Sequence, residues 1–220
     1  MSMRVRTKFS KTEAMRFTGH LDLFRALERT VRRAKLPLTY SQGFNPHPKI
    51  SLASALPLGF TSEAEFADIF LDETLPLTEI DQTLINALPS GIQINEINLV
   101  DPKEPKLQNS LRSSIFSAIL GEPFPNMEKA VLNFLSAEEV IIEKIKKGKK
   151  RLINIREFVH TIEIIEDNDN KQELRLHLSA VEGKTGRPDV ILEQIGINPL
   201  STRFHRTDLI FKKYSLIESS

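Results

Sequence analysis

The chain has 220 residues, of which 40% are hydrophobic and 27% are charged, with 30 Lys and Arg against 29 Asp and Glu. This composition is that of a folded protein, and it excludes disorder throughout and a uniformly basic coat for nucleic acid. Because there is no cysteine, disulfides, Cys-ligated zinc, iron–sulfur clusters and thiol nucleophiles are excluded together. No stretch approaches 18 apolar residues and no secretory signal begins the chain, so we expect a cytoplasmic protein without a membrane span.

The net charge of +1 hides a gradient along the first hundred residues. Residues 1–50 contain eleven basic and three acidic side chains, whereas residues 51–100 contain eight acidic side chains and no Lys or Arg. Two interpretations stay open. The fold either separates a basic face, suited to a phosphate-bearing partner, from an acidic face, or pairs the two signs internally.

The first elements are a strand and a helix. In residues 3–9 apolar and basic side chains alternate, which predicts a strand with one buried face, and residues 14–18 suggest a second short strand. The following stretch has helical spacing and ends before Pro37. Its predicted apolar stripe consists of Leu21, Phe24, Leu27, Val31 and Ala34.

The rest of the first hundred residues repeats this alternation of element types. Residues 38–60 predict a strand that enters a structured loop and then a second strand near 49–56, and residues 63–72 predict another strand. Residues 77–88 have helical spacing and residues 92–100 alternate as a strand. The order strand, helix, strand, strand, helix, strand is that of a ferredoxin-like unit with an antiparallel sheet.

The second half predicts a similar order of elements. Residues 101–108 are polar with two prolines and predict a linker, and strands and helices then follow with a hairpin around residues 167–170. We therefore predict an α+β fold of tandem ferredoxin-like domains. The predicted domains are residues 1–100, the linker 101–108 and a C-terminal α+β domain over residues 109–220.

A stiff polar loop is the strongest candidate for a site. Pro46 and Pro48 restrict the backbone of this loop, and Gly43 lets another molecule approach the backbone closely. The polar groups of the loop are therefore held in place for binding. The loop candidates are Tyr40, Ser41, Gln42, Gly43, Phe44, Asn45 and His47. The alternative is a connecting loop whose side chains satisfy local backbone groups. His20 and His47 are candidate acid–base residues, and their convergence is one outcome of the predicted fold.

The predicted helix also carries a basic ridge. The candidates for anion or RNA binding are Arg25, Arg29, Arg32, Arg33 and Lys49. Such a ridge either follows phosphates or is the solvated face of an amphipathic helix. A basic run at 144–151 predicts an exposed hairpin tip, and Gly183–Asp189 lacks the spacing of a phosphate loop but could hold an anion. The five histidines show no zinc-binding spacing, so no metal site is predicted.

Three segments carry a family resemblance: RFTGHLD at 16–22, YSQGFNPHPK at 40–49 and LPLG at 56–59. On these segments the chain resembles the radical SAM-linked proteins, a domain of unknown function fused to, or encoded beside, radical SAM proteins with a cobalamin-type domain. The resemblance implies an accessory role and supplies no catalytic residues. Without cysteines this chain cannot hold the radical SAM cluster, so the enzyme that uses SAM, an iron–sulfur cluster and cobalamin would be a separate chain. A weaker, fold-level similarity is to the RAMP-type RNA-binding proteins.

The sequence thus supports two hypotheses. The first is an accessory protein, with no cofactor of its own, that docks on a radical SAM protein and presents a substrate for which RNA is the expected class. The second is a metal-independent RNA-processing enzyme that uses His20 or His47 as acid or base. No strong motif supports catalysis by the chain on its own. An adaptor that binds no nucleic acid is the remaining alternative.

Overall fold

A computed structural model describes residues 3–146, 148–166 and 172–212. The chain divides into two compact units. The first contains Leu111 and the described residues before it, together with Phe211 and Lys212, and the second is Arg112–Ile210. The predicted turn at 167–170 lies outside the described residues.

The first unit has the predicted ferredoxin-like order of elements. It runs β1 (Met3–Lys11), α1 (His20–Arg33), β2 (Ile50–Leu52), β3 (Thr61–Leu71), α2 (Leu77–Ala87), β4 (Ile92–Val100) and a short α3 (Leu107–Ser110). The sheet order is β2–β3–β1–β4, and every one of these pairs is antiparallel. The two long helices cover one face of this sheet, with Val31 of α1 and Ile80 of α2 in one buried cluster with Val5.

The second unit repeats the same topology with an inserted hairpin. Its elements are β5 (Leu111–Leu120), α4 (Met127–Ser136), the hairpin β6 (Ile141–Lys146) and β7 (Lys149–Asn154), β8 (Val159–Glu166), β9 (Gln172–Val181), the short β10 (Lys184–Thr185), α5 (Pro188–Ile195) and β11 (Thr202–Phe211). Strand β5 lies between β11 and β9, and β9 also pairs with β8. This is again a ferredoxin-like order, so the predicted tandem α+β fold is confirmed.

Two predictions about the first unit are wrong in detail. Residues 14–18 form turns instead of a strand, because the amides of Met15 and Thr18 donate to carbonyls three residues earlier. The buried stripe of α1 is Leu23, Ala26, Leu27, Thr30 and Val31. Leu21 is 70% exposed, so the face that packs on the sheet is rotated away from it.

The second face of β1 is buried as well, although it carries arginines. Arg4 and Arg6 are each only 2% exposed, and both donate to the carboxylate of Asp68 on β3, which is completely buried. The Arg4 Nε–Asp68 Oδ2 distance is 2.9 Å and the Arg6 Nε–Asp68 Oδ1 distance is 2.8 Å. Arg4 also donates to the carbonyls of Glu104 and Pro105, which fixes the segment after β4. At these residues the two signs of the charge gradient are paired internally.

Asp68→Asn is expected to destabilise the protein by about 3–5 kcal/mol, because it removes the buried carboxylate that pairs with two buried guanidinium groups. Urea unfolding followed by circular dichroism measures this change. The control is Asp22→Asn, since the ion pair of Asp22 with Arg25 is exposed on both sides and contributes at most about 1 kcal/mol. A destabilisation of Asp68→Asn below about 1 kcal/mol, similar to that of the control, would show that the buried cluster does not stabilise the fold.

Candidate nucleic-acid interface

Helix α1 begins at His20, after the extended residue Gly19. The amide of Leu23 donates to the Gly19 carbonyl at 2.9 Å, and Asp22 places a negative charge in the first turn. The side chain of His20 is partly buried, and its Nδ1 is inaccessible with no hydrogen-bond partner. His20 thus marks the start of the helix with one ring nitrogen unsatisfied.

The arginine ridge lies on the exposed side of α1. Arg25 forms an ion pair with Asp22 at 3.3 Å, and Arg33 donates to the carbonyl of Ala87 at 2.6 Å. Arg29 and Arg32 are exposed, and within the described part of the chain neither has a hydrogen-bond or ion-pair partner. Two of the four guanidinium groups are therefore uncommitted.

The polar loop at 40–49 closes on itself. The Ser41 amide donates to the His47 carbonyl at 2.9 Å, and the His47 amide donates back to the Ser41 hydroxyl at 3.1 Å. Tyr40 and Pro48 form a β-bridge at its base. Gly43 adopts φ of 137°, a conformation that other residues rarely adopt, and the Phe44 side chain is fully exposed beside it. Asn45, Gln42 and the remaining residues from 41 to 47 are also exposed.

His47 connects this loop to the middle of α1. Its Nδ1 lies 3.8 Å from the Oε1 of Glu28, an oxygen that is buried and has no hydrogen bond. Glu28 is eight residues after His20, so this contact is about 12 Å along the helix axis from its start. The loop therefore meets α1 at the edge of the arginine ridge, because Arg25 and Arg32 lie three and four residues from Glu28.

A third segment reaches the start of α1. Arg16 Nε donates to the Gly59 carbonyl at 2.9 Å, and the Gly59 amide donates to the Arg16 carbonyl at 3.0 Å. The neighbouring Phe17 and Leu58 are 76% and 63% exposed. Both side chains are therefore open to contact with another molecule. Of the three segments that carried the family resemblance, 16–22 contains the start of α1, 40–49 approaches Glu28, and 56–59 binds Arg16.

Lys49 lies where the loop enters β2. Its backbone is part of the sheet edge, because its amide donates to Thr39 and its carbonyl accepts from Phe70. Its ammonium group stands 4.4 Å from the centre of the Phe70 ring and is exposed. A cation held on an aromatic face in this way stays available to an anion.

The sequence patterns did not select Glu28 as a candidate site residue. Its position three residues after Arg25 and four before Arg32 was the available signal that it lies beside the ridge. Its pairing with His47 depends on how residues 36–48 return towards the helix, and no spacing in the sequence encodes that path.

The second unit holds a separate histidine pair. The rings of His160 and His177 lie 4.8 Å apart, and His177 Nε2 is 2.8 Å from the Ser113 hydroxyl. A bulge between Val159 and Thr161 shifts the register here. Burial lowers the pKa of His177, the neighbouring His160 lowers it further, and Glu163 opposes the shift. Within the described residues no cluster of three or more His, Asp or Glu side chains is suited to a metal ion.

Comparison with known proteins identifies a family. The sequence model of the family described as "Uncharacterized protein conserved in bacteria (DUF2344)" matches residues 4–188. No curated protein matches the chain. Among the helices that the structure describes, none is long and apolar enough to cross a membrane.

Two solved structures are similar in part. A chain of a Cbf5–Nop10–Gar1 complex is 12% identical with a TM-score of 0.46, and the match covers 93% of this chain and 47% of that one. A chain of the archaeal box H/ACA sRNP Nop10–Cbf5 complex is 11% identical with a TM-score of 0.43, over 96% and 48% of the two chains. The protein thus spans about half the length of these solved chains.

Proposed function

The chain belongs to the bacterial family DUF2344, whose description assigns no activity, and we propose from its surface that it binds single-stranded RNA along α1. The observation that carries this proposal is the approach of His47, in the exposed loop, to within 3.8 Å of Glu28 on α1, beside the arginine ridge. In this proposal the arginines contact phosphates and the ring of Phe44 stacks on a base.

The charge of this surface suits a nucleic-acid backbone. Arg29 and Arg32 are uncommitted and lie one helical turn apart, so they can contact neighbouring phosphates. Lys49 adds a cation where the loop joins β2. Glu28 offsets part of this charge, because it lies three residues after Arg25 and four before Arg32 on the same helix.

The aromatic side chains supply the second part of single-strand recognition. Phe44 is fully exposed at the tip of a loop closed by two Ser41–His47 hydrogen bonds, and Tyr40 is 43% exposed at its base. An exposed ring on a fixed loop can stack on an unpaired base, at about 1–3 kcal/mol per base. Single-stranded RNA combines such bases with a phosphate backbone, so it fits both features.

The accessory role implied by the resemblance is the setting proposed for this binding. In it, the chain docks on a separate radical SAM protein, which supplies SAM, an iron–sulfur cluster and cobalamin, and presents RNA to it. The exposed apolar side chains Phe17, Leu21 and Leu58 near the start of α1 are suited to such a protein contact. Leu21 lies on α1, the helix that carries the proposed RNA contacts.

The double variant Arg29→Ala/Arg32→Ala is expected to weaken binding of a short single-stranded RNA. It should also reduce the salt slope by about 1.4, at about 0.7 for each phosphate that is no longer neutralised. Phe44→Trp supplies the probe, because the chain has no tryptophan of its own and base stacking would quench the new fluorophore. The matched control is Lys103→Ala/Lys106→Ala, which removes two exposed cations elsewhere in the first unit. An unchanged affinity and slope in the ridge variant would reject RNA binding at α1.

Docking on a radical SAM protein has its own test. Phe17→Glu/Leu58→Glu should abolish co-purification of that protein with the tagged chain from native cells, while Ile85→Glu, at another exposed apolar residue, should not. Absence of any radical SAM protein from the wild-type eluate would contradict the accessory role without affecting RNA binding.

A second candidate function rests on the same His47–Glu28 pair. The imidazole of His47 lies 3.8 Å from the Glu28 carboxylate and is largely exposed, so a bound substrate can reach it. His47 could then act on RNA bound at the loop, in the metal-independent processing that the sequence left open. His20, at the start of α1, is the other candidate and has an unsatisfied Nδ1.

Cleavage of bound RNA by the purified chain in the presence of a chelator would support this second candidate. We expect His47→Ala to abolish such cleavage even at protein concentrations that saturate the RNA, and Glu28→Gln to reduce it. His205→Ala in the second unit is the control. If wild-type protein binds RNA and leaves it intact, the chain is a binding protein and His47 has no catalytic role.

A further inference from the structure

The hairpin inserted in the second unit has two chemically different sides. In the register of β6 and β7, Ile142 pairs with Ile153 and Lys144 with Arg151. Side chains alternate across a strand, so these pairs share one side and the pairs Glu143–Leu152 and Ile145–Lys150 share the other. The first side lines a cleft of about 320 Å³.

The cleft is basic without internal compensation. It is lined by Lys144, Arg151, Ile153, Phe158, Gly183 and Thr185. None of these described lining residues is acidic, and within the described part of the chain Lys144 and Arg151 have no ion-pair partner. By contrast Lys150, on the opposite side of β7, pairs with Glu143 at 3.0 Å.

The facing pair of like charges is costly without a ligand. Like charges directly opposite on neighbouring strands destabilise a hairpin, because the Cβ atoms of facing residues are only about 5 Å apart. Two other basic residues near the cleft are neutralised locally: Lys184 pairs with Glu157, and Arg187 with Asp189. Within this cleft, Lys144 and Arg151 are thus the exposed cations that are available to a ligand.

The floor and rim of the cleft complete a site of small-molecule size. Phe158 is buried and Ile153 half-buried, which gives an apolar floor. Thr185 places a hydroxyl at the rim, beside the tight turn in which Gly183 adopts φ of 80°. A volume near 320 Å³ is at the lower end of ordinary ligand pockets.

We infer that this cleft binds a phosphate-bearing ligand through Lys144 and Arg151. The guanidinium group of Arg151 can grip two phosphate oxygens at once, and Lys144 supplies a second positive charge across the strand. The ligand's charge relieves the repulsion between the two side chains. The inference is independent of RNA binding at α1, since it rests on different residues in the other unit. The phosphate belongs either to an RNA backbone or to a free phosphorylated small molecule.

The test titrates the full chain with inorganic pyrophosphate, with a nucleoside triphosphate and with a short single-stranded RNA, by calorimetry at fixed ionic strength. Lys144→Ala/Arg151→Ala is expected to weaken binding of at least one probe by tenfold or more, about the effect of removing one charged hydrogen bond. The same variant should raise Tm without ligand, because it removes the cross-strand repulsion. The matched control Lys150→Ala, one residue away on the opposite side, should leave binding unchanged.

The outcomes distinguish a small-molecule phosphate from an RNA phosphate, and they distinguish the cleft proposal from the proposal for α1. Loss of pyrophosphate or triphosphate binding assigns a free small molecule, and loss of RNA binding alone assigns a backbone phosphate. Either supports the cleft. If wild-type protein binds none of the probes, or if the cleft variant binds each as wild type does, the cleft assignment is overturned. Arg29→Ala/Arg32→Ala reports separately on α1, because it should leave pyrophosphate binding intact.

Discussion

The burial of Asp68 between two arginines is the constraint on which the first unit depends. A carboxylate with no exposure is tolerated because Arg4 and Arg6 both donate to it from the neighbouring strand. Their guanidinium groups bring the pairing of β1 with β3 into one register, since a slip by one residue would turn them towards the helices. Arg4 then binds the carbonyls of Glu104 and Pro105, so the same cluster fixes the chain beyond β4.

Once β1 and β3 are paired in this register, α1 packs its apolar face on the sheet. Leu23, Leu27 and Val31 face the sheet, and this orientation turns the arginines outward and Leu21 into solvent. The chain then returns from the end of α1 through the loop, and His47 meets Glu28. The packing of the apolar face of α1 therefore decides which side chains of the helix are exposed. The proposed RNA contact uses the arginines among these exposed side chains.

The two units use charge differently around the same topology. In the first unit several basic side chains bind groups within the unit. Arg4 and Arg6 form ion pairs with Asp68, and Lys11 donates to the carbonyls of Arg16 and Phe60. In the second unit the inserted hairpin places Lys144 opposite Arg151 with no acid between them. Unpaired charge on a two-stranded element that contributes little to the core is more readily explained by a ligand than by stability.

The sequence by itself determined the tandem ferredoxin-like fold, because the order of periodic segments and turn residues is local information. It also indicated the three segments around α1 and the basic ridge, since spacing of three and four places residues on one helical face. The alternation in β1 was visible, but the burial of its arginine face was not, because that depends on Asp68 more than sixty residues away. The helix stripe was displaced for the same reason: spacing defines a face, and only packing on the sheet decides which residues at its margin are covered. The His47–Glu28 contact and the Lys144–Arg151 pairing likewise came from the tertiary structure, since a loop's return path and a hairpin's register set which side chains meet.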